Sequence, residues 1–356
     1  MSADQPQRGA RPAAAGIVPA RRGFAFGLFA VAAAPRLAWG AVGSDGNLQR
    51  AAQPLMGTQV SITVVHSDAA QRELALRAAW DEMQRLSEMM SRYRSASRVA
   101  ALAASAGNRP VAVAPQMRQA LAQARDMSIA SDGAFDITVG AYAGWRFDGG
   151  PQAVPPAGEL QAERRLVDFR DVLVDEARGT AYLRRPGMRI DLGGIAKLPI
   201  LAAGLQALRE HGVGDAMIDG GGDVLCSGQL HGRAWRVGLR DPRAPQRLLG
   251  VVEVGEGIVA SSGDYERFFE QDGRRYHHIL DPRTGMPSRG PHGVALVARD
   301  VAAVNGLGAA IMVGGAAAGR HWLGKRREVD ALIVGDGAAM NAPWLSPGMA
   351  RRLRTV

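Results

Sequence analysis

Four glycine-dense turns constrain this chain more than any other feature of its sequence. They are Gly133-Ala134-Phe135-Asp136-Ile137-Thr138-Val139-Gly140, Asp191-Leu192-Gly193-Gly194-Ile195-Ala196-Lys197, Asp219-Gly220-Gly221-Gly222-Asp223 and the run from Ala260 to Pro287. The last contains Ser261-Ser262-Gly263-Asp264-Tyr265-Glu266-Arg267 and Tyr276-His277-His278-Ile279-Leu280-Asp281-Pro282-Arg283-Thr284-Gly285. Glycine lets a backbone approach a ligand closely and present N–H groups to anionic oxygens. An aspartate at the end of a strand and a lysine in the first turn of the next helix can hold the two ends of a charged ligand. A helix N-terminus at Gly193-Gly194 adds partial positive charge where a phosphate can sit. The spacing is neither that of a Walker loop nor that of a Rossmann fingerprint, and no Gly-x-Ser-x-Gly elbow occurs. One such cluster alone reads as a tight turn. Four, each beside polar residues that do not serve packing, read as a ligand site.

The intervening segments predict one compact α+β domain over residues 50–350, of mixed, mainly antiparallel sheets with flanking helices. At roughly 150 residues per domain, 356 residues would also allow two, but no low-complexity linker or repeat divides the chain. Gln59–Val64 alternates polar and apolar residues, the period of a half-buried strand. Ser67 or Asp68 then caps a helix with Leu76, Trp80, Met83, Leu86 and Met90 at helical spacing. A second helix is expected over Pro115–Ala130, with Met117, Leu121 and Ala124 inward, and a third over Gly194–Glu210. Strands are expected near Leu166–Val174, Thr180–Leu183 and Met188–Asp191. Ala216–Ile218, Val224–Ser227, Trp235–Leu239 and Leu248–Val254 read as one antiparallel sheet. Val294–Ala298 closes the strand set before a small-residue helix from Val301 to Val313.

Residues 1–41 read as a twin-arginine signal peptide. Arg21-Arg22 precedes a short apolar stretch, Gly23–Ala34, followed by Pro35 and small residues through Ala41. Twelve weakly apolar residues are too few for a permanent anchor across about 30 Å of hydrocarbon. A periplasmic protein, soluble or peripheral to the membrane, is therefore expected. The lone Cys226 suits that compartment, since it has no partner to mispair with, and it excludes an internal disulfide or an all-cysteine metal cluster. The formal charge of +9 includes five arginines against one acid in the first 40 residues, leaving about +5 on the rest. No basic run interleaved with aromatics appears, so a nucleic-acid partner is not expected. Only Lys197 and Lys325 are lysines, which draws attention to Lys197.

With these motifs the chain resembles the ApbE family, the FAD:protein FMN transferases. The resemblance spans about Pro54 to Gly315, and its most specific elements are Ser262–Arg267 with Tyr276–Gly285, then Asp191–Lys197. It implies transfer of FMN from FAD to a Ser or Thr hydroxyl of a target flavoprotein, an exported FMN-binding protein, with AMP as leaving group. Positioning and charge neutralisation supply most of the catalysis in such a phosphoryl transfer. By the same resemblance Met56 and Tyr93 line the flavin site, and Ala134, Phe135 and Asp136 contact the dinucleotide. Asp191 meets its polar head, Lys197 its charged portion, and Leu280 belongs to the same binding surface. His278 is the residue implied to assist deprotonation of the attacking hydroxyl, a task suited to a pKa near neutrality.

The family usually binds Mg²⁺ through a backbone carbonyl near Gly194 and through an aspartate and a threonine at the start of the last helix. Here those side-chain positions hold Asn305 and Ala309. An amide oxygen carries no charge and a methyl group offers no ligand atom, so Mg²⁺ binding should be weakened. Two further readings therefore stand beside the transferase: an FAD-binding accessory protein, and a pyrophosphatase in which water replaces the target hydroxyl. The Gly-Tyr-Ala-x-Asp usual after the lysine is also replaced, by Leu198-Pro199-Ile200-Leu201-Ala202.

Overall fold

A computed structural model describes residues 40–147, 150, 152–335 and 342–355. The export signal read over residues 1–41 lies outside the described residues up to position 39, and Gly40 and Ala41 open the first strand.

Strands β1 (Gly40–Asp45), β2 (Leu48–Leu55) and β3 (Thr58–Val65) form an antiparallel meander. Asp68, rather than Ser67, caps helix α1 (Ala69–Met90), its carboxylate accepting from Ala70 N at 2.8 Å and Gln71 N at 3.2 Å. The predicted stripe of α1 is buried from Leu76 to Met90. Helix α2 (Arg98–Ala104) and strand β4 (Val111–Ala112) follow. Helix α3 (Pro115–Ala130) has Pro115 in its first turn and buries Met117, Leu121 and Ala124.

After α4 (Ala157–Arg164), strands β5 (Val172–Asp175) and β6 (Thr180–Leu183) join β4 in a small sheet of order β4-β6-β5. The strand expected from Leu166 begins only at Val172, because Asp168 accepts from Arg170 N at 3.0 Å and folds Phe169–Asp171 into a 3-10 turn. Met188–Asp191 is not a strand. It runs to the site, and Asp191 N donates to Ile137 O at 2.7 Å.

Helix α5 (Gly193–Glu210) leads to β7 (Asp215–Gly220) and β8 (Val224–Ser227), then to β9 (Trp235–Asp241) and β10 (Ala244–Val254). The single sheet expected from these four strands is two: β7 and β8 belong to the main sheet, while β9 and β10 pair in a hairpin of their own. The hairpin lies over the main sheet instead of extending it: Trp235, Val237 and Leu239 pack with Val259, Ala295 and Val297, and the β9 residues between them are exposed. Strand β11 (Gly257–Gly263) precedes the hairpin β12 (Phe268–Gln271) and β13 (Arg274–His277), then β14 (Gly293–Ala298).

The helix expected over Val301–Val313 is broken. It divides into α6 (Val301–Val304) and α7 (Leu307–Gly324) at Asn305-Gly306, where Gly306 sits at φ +76°. Residues Val301–Gly324 are long and apolar enough to cross a membrane by length and composition, but Ala310, Ile311 and Met312 are fully buried in the domain core. Strands β15 (Asp330–Val334) and β16 (Trp344–Leu345) and helix α8 (Pro347–Arg352) complete the chain.

The main sheet has nine strands in the order β1-β2-β3-β7-β8-β11-β14-β15-β16, all pairings antiparallel, as an α+β fold requires. Its two faces bury separate cores. Ile258, Ala260, Val294 and Leu296 pack with the helices, whereas Val259, Ala295 and Val297 pack under the β9–β10 hairpin.

Candidate active site

One cavity of about 720 Å³ opens between the N-terminus of α5, the β12–β13 hairpin and the α6–α7 break. That volume lies within the range that encloses small-molecule ligands. All twelve residues singled out from the sequence line it: Met56, Tyr93, Ala134, Phe135, Asp136, Asp191, Gly194, Lys197, His278, Leu280, Asn305 and Ala309.

Met56 and Gly57 form the two-residue turn between β2 and β3, at φ +54° and +72°. A methionine rarely adopts that conformation, and the turn aims it at the cavity. Tyr93 stands at the rim, 63% exposed, with the Arg92 guanidinium 5.4 Å above its ring. Phe135 is buried beneath the floor and meets Gly194 closely enough that a side chain there would lie 3.2 Å from the ring. Asp136 spends both carboxylate oxygens on the protein. Oδ1 accepts from Thr138 N and Oγ1 at 2.7 and 2.6 Å, and Oδ2 from Phe169 N at 3.0 Å. Burial nevertheless raises its pKa above the usual carboxylate range.

Asp191 ties the N-terminus of α5 to α1's end. Oδ1 accepts from Gly193 N at 2.8 Å and Oδ2 pairs with Arg92 at 2.7 Å. Burial works to raise its pKa, but the Arg92 ion pair, the Gly193 N–H and the nearby Arg267 overcome it and hold the group ionised. Lys197, one turn further along α5, pairs with Asp223 at 2.8 Å. Asp223 in turn accepts from Ser261 N at 2.9 Å, so the β7–β8 turn, α5 and β11 are pinned together by one carboxylate.

The β12–β13 hairpin turns at Asp272-Gly273, φ +53° and +70°, and delivers His278 immediately after β13. The Arg267 carbonyl accepts from both His278 N at 3.1 Å and His278 Nδ1 at 3.2 Å. A carbonyl can only accept, so the proton resides on Nδ1 and the Nε2 lone pair is left for a ligand. Burial, then the Arg267 charge, pushes the pKa of His278 down to about 3, well below the near-neutral value expected from sequence. The ring is therefore neutral at physiological pH but a weak base that takes a proton only as the acceptor oxygen bonds to phosphorus. The preceding His277 is buried, donating from Nε2 to Ser288 O at 3.0 Å and accepting from Ile279 N at 3.3 Å, which fixes the turn. Leu280 is held by a bridge to Pro287, and Trp145 and Phe147, stacked at 5.9 Å, form the aromatic wall beside His278.

The sequence reading missed Arg92, Asp223 and Arg267 as part of this wall. Arg92 and Asp223 are salt-bridge partners of Asp191 and Lys197, lying 99 and 26 positions away, and Arg267 ends the Ser262–Arg267 motif without a local sign that it faces the cavity. Asp223 did stand in one of the four glycine-dense turns, which was the available signal.

The residues do not fit a bound Mg²⁺. Asn305 is 3% exposed, and its Nδ2 donates to Ile195 O at 2.9 Å and to Gln123 Oε1 at 2.8 Å. The Ile195 carbonyl fixes which end of the amide faces it. Ala309 contributes a methyl group packed toward Gly194. Among the described residues no group of three or more His, Cys, Asp or Glu side chains is placed to hold a metal.

The ApbE family pattern matches residues 56–333. The FAD:protein FMN transferase of Klebsiella pneumoniae is 35% identical over 68% of this chain and 75% of its own length. That of Treponema pallidum is 35% identical over 69% and 74%. Among solved structures, the ApbE protein of Thermotoga maritima superposes with a TM-score of 0.77 at 30% identity, covering 86% of this chain and 99% of its own. The flavin transferase ApbE of Vibrio cholerae gives 0.75 at 25% identity, with the same coverage. With the family pattern covering most of its length and its glycine turns gathered on one cavity, this chain belongs to the ApbE family.

Proposed function

We propose that the protein is an FAD:protein FMN transferase, moving FMN from FAD to a Ser or Thr hydroxyl of a target flavoprotein. The observation that carries this reading is a neutral imidazole with a free Nε2 at the wall of a cavity whose other side offers a helix N-terminus, Arg92 and Lys197. FAD would lie with its flavin against Met56, Tyr93 and Phe135 and its diphosphate toward α5 and the basic side chains. The acceptor hydroxyl gives its proton to His278 Nε2 as its oxygen bonds to the phosphorus on the FMN side. The bond from that phosphorus to the AMP oxygen breaks, and AMP leaves with the electron pair. Lys197, Arg92 and Arg267 stabilise the charge that develops on the phosphoryl oxygens and on AMP.

The acceptor is an exported FMN-binding flavoprotein, and the transferase reaches it in the periplasm by the twin-arginine route, which carries folded cargo. Arg21-Arg22 and the short apolar stretch behind them support that placement. A second reading, an FAD-binding accessory that does not transfer, is favoured by Asn305 and Ala309 in place of metal-binding side chains. Incubation with FAD and a candidate acceptor, followed by intact mass measurement, separates the readings. Transfer adds one FMN phosphoester to the acceptor. An unchanged acceptor with FAD still bound defeats the transferase, and release of free FMN and AMP points to hydrolysis.

A further inference from the structure

We infer that this chain takes up FAD without a divalent cation, because the amide N–H of Asn305 occupies the bridging role that a cation would otherwise fill. The inference rests on the reading of the cavity as an FAD site and goes beyond it.

The Ile195 carbonyl lies in the first turn of α5, where Pro199 four residues on has no N–H to offer it, and it faces the buried Asn305. A carboxylate at position 305 would set a negative oxygen about 2.9 Å from that carbonyl, and two acceptors cannot face each other there without a proton or a cation between them. The amide resolves the conflict internally. Its Nδ2 gives one hydrogen to Ile195 O and the other to Gln123 Oε1, both within ordinary hydrogen-bond distance. Asn305 and Ala309 border the cavity, but their immediate neighbours are apolar: a side chain added at Gly306 would meet Ile195, Met127 and Phe135 at 3.1–3.3 Å, and none of these side chains offers an oxygen ligand. Ala309 supplies no oxygen, and Mg²⁺ demands near-octahedral oxygen ligation.

Charge decides what replaces the cation. A carboxylate with a divalent ion carries a net +1, whereas the neutral amide carries nothing. The FAD diphosphate must then find its positive partners in Arg92, Lys197, Arg267 and the N-terminus of α5, all of which face the cavity. Arg92 and Lys197 are held in place by Asp191 and Asp223, so they are oriented before the ligand arrives.

The test is calorimetric titration of FAD into the full-length protein, in EDTA and in excess Mg²⁺. The dissociation constants are expected to agree within about twofold, since a ligand absent from the bound state shifts no equilibrium. Tightening of about tenfold or more on adding Mg²⁺ overturns the inference while leaving the FAD site standing. No FAD uptake under either condition overturns the inference and the transferase reading together. A second measurement uses thermal unfolding with Mg²⁺ as the only added ligand. The wild type should show no shift, and the double variant Asn305→Asp with Ala309→Thr should show a rise. A rise in the wild type, or none in the double variant, refutes the assignment of the lost cation site to these two positions.

Discussion

Acidification should destabilise this protein through His278, by an amount that follows from the ring's surroundings. Burial first, then the Arg267 charge, lowers its pKa from 6.5 to about 3. The unfolded chain takes up a proton near the ordinary value, and the folded chain refuses it until about 3. The stabilisation is therefore complete above the ordinary value and is lost progressively as pH falls through that window. At about pH 5 an unfolded imidazole is protonated about thirtyfold over its neutral form, which corresponds to at most about 2 kcal/mol. The ring is half-buried rather than sealed, so solvent screening reduces the expectation to about 1 kcal/mol. Urea denaturation at about pH 7.5 and about pH 5, on the wild type and on His278→Gln, isolates the contribution. The variant should lose about 1 kcal/mol less than the wild type over that span. His277 is also depressed by burial, but it titrates in both proteins and cancels from the difference. Equal losses in the two proteins would refute the argument, and with it the neutral base on which the proposed proton transfer depends.

Replacing His278 by alanine should lower FMN transfer by about 10²–10⁴-fold while FAD affinity changes little, measured by acceptor mass and by titration; retained transfer would assign the proton to another group. Lys197→Met should weaken FAD binding. It should also cost about 1–3 kcal/mol of stability, below the fully buried range because Lys197 keeps 28% exposure, since Asp223 at 8% loses its partner. Asp223→Asn in the same background should recover part of that stability but none of the affinity. Gly140→Ala would drive a methyl group to 2.5 Å from the Ile190 carbonyl carbon and 2.7 Å from Asp191 N, so it should displace Asp191 and cost about 1–3 kcal/mol. A Gly140→Ala protein with unaltered melting temperature and FAD affinity would show that this contact yields without moving the site.

The sequence carried the site further than it carried the fold. The glycine-dense turns marked where a ligand site lies, because turn conformation is a local property that glycine announces directly, while the individual residues came from the family resemblance, and all of them line the cavity. Helix α1 was equally legible, its 3.6-residue stripe running from Leu76 to Met90. Pairing between distant strands was not. Alternation in β9 says that one face is buried but not against which layer, so β9 and β10 were placed in a sheet they do not join. The break at Asn305-Gly306 lay inside an otherwise continuous apolar, small-residue pattern, and only the positive φ of Gly306 shows that the helix stops there. Arg92 carries no local signature at all, and Arg267, although it ends the Ser262–Arg267 motif, has nothing local to show that its side chain reaches the cavity. Their roles exist only because α1's end and the loop before β12 meet the N-terminus of α5 in space.

The pairing of β3 with β7 has a consequence for how the molecule behaves as a whole. It joins residues 58–65 to residues 215–220, and the cavity wall that depends on it is drawn from positions as far apart as Pro54 and Val313. Such distant closures form late and slowly. No fragment short of that span can therefore hold a finished pocket, and opening of the segments that line it dismantles it. FAD bound there reports on, and protects, global rather than local integrity, so an occupied molecule should resist proteolytic nicking along most of its length.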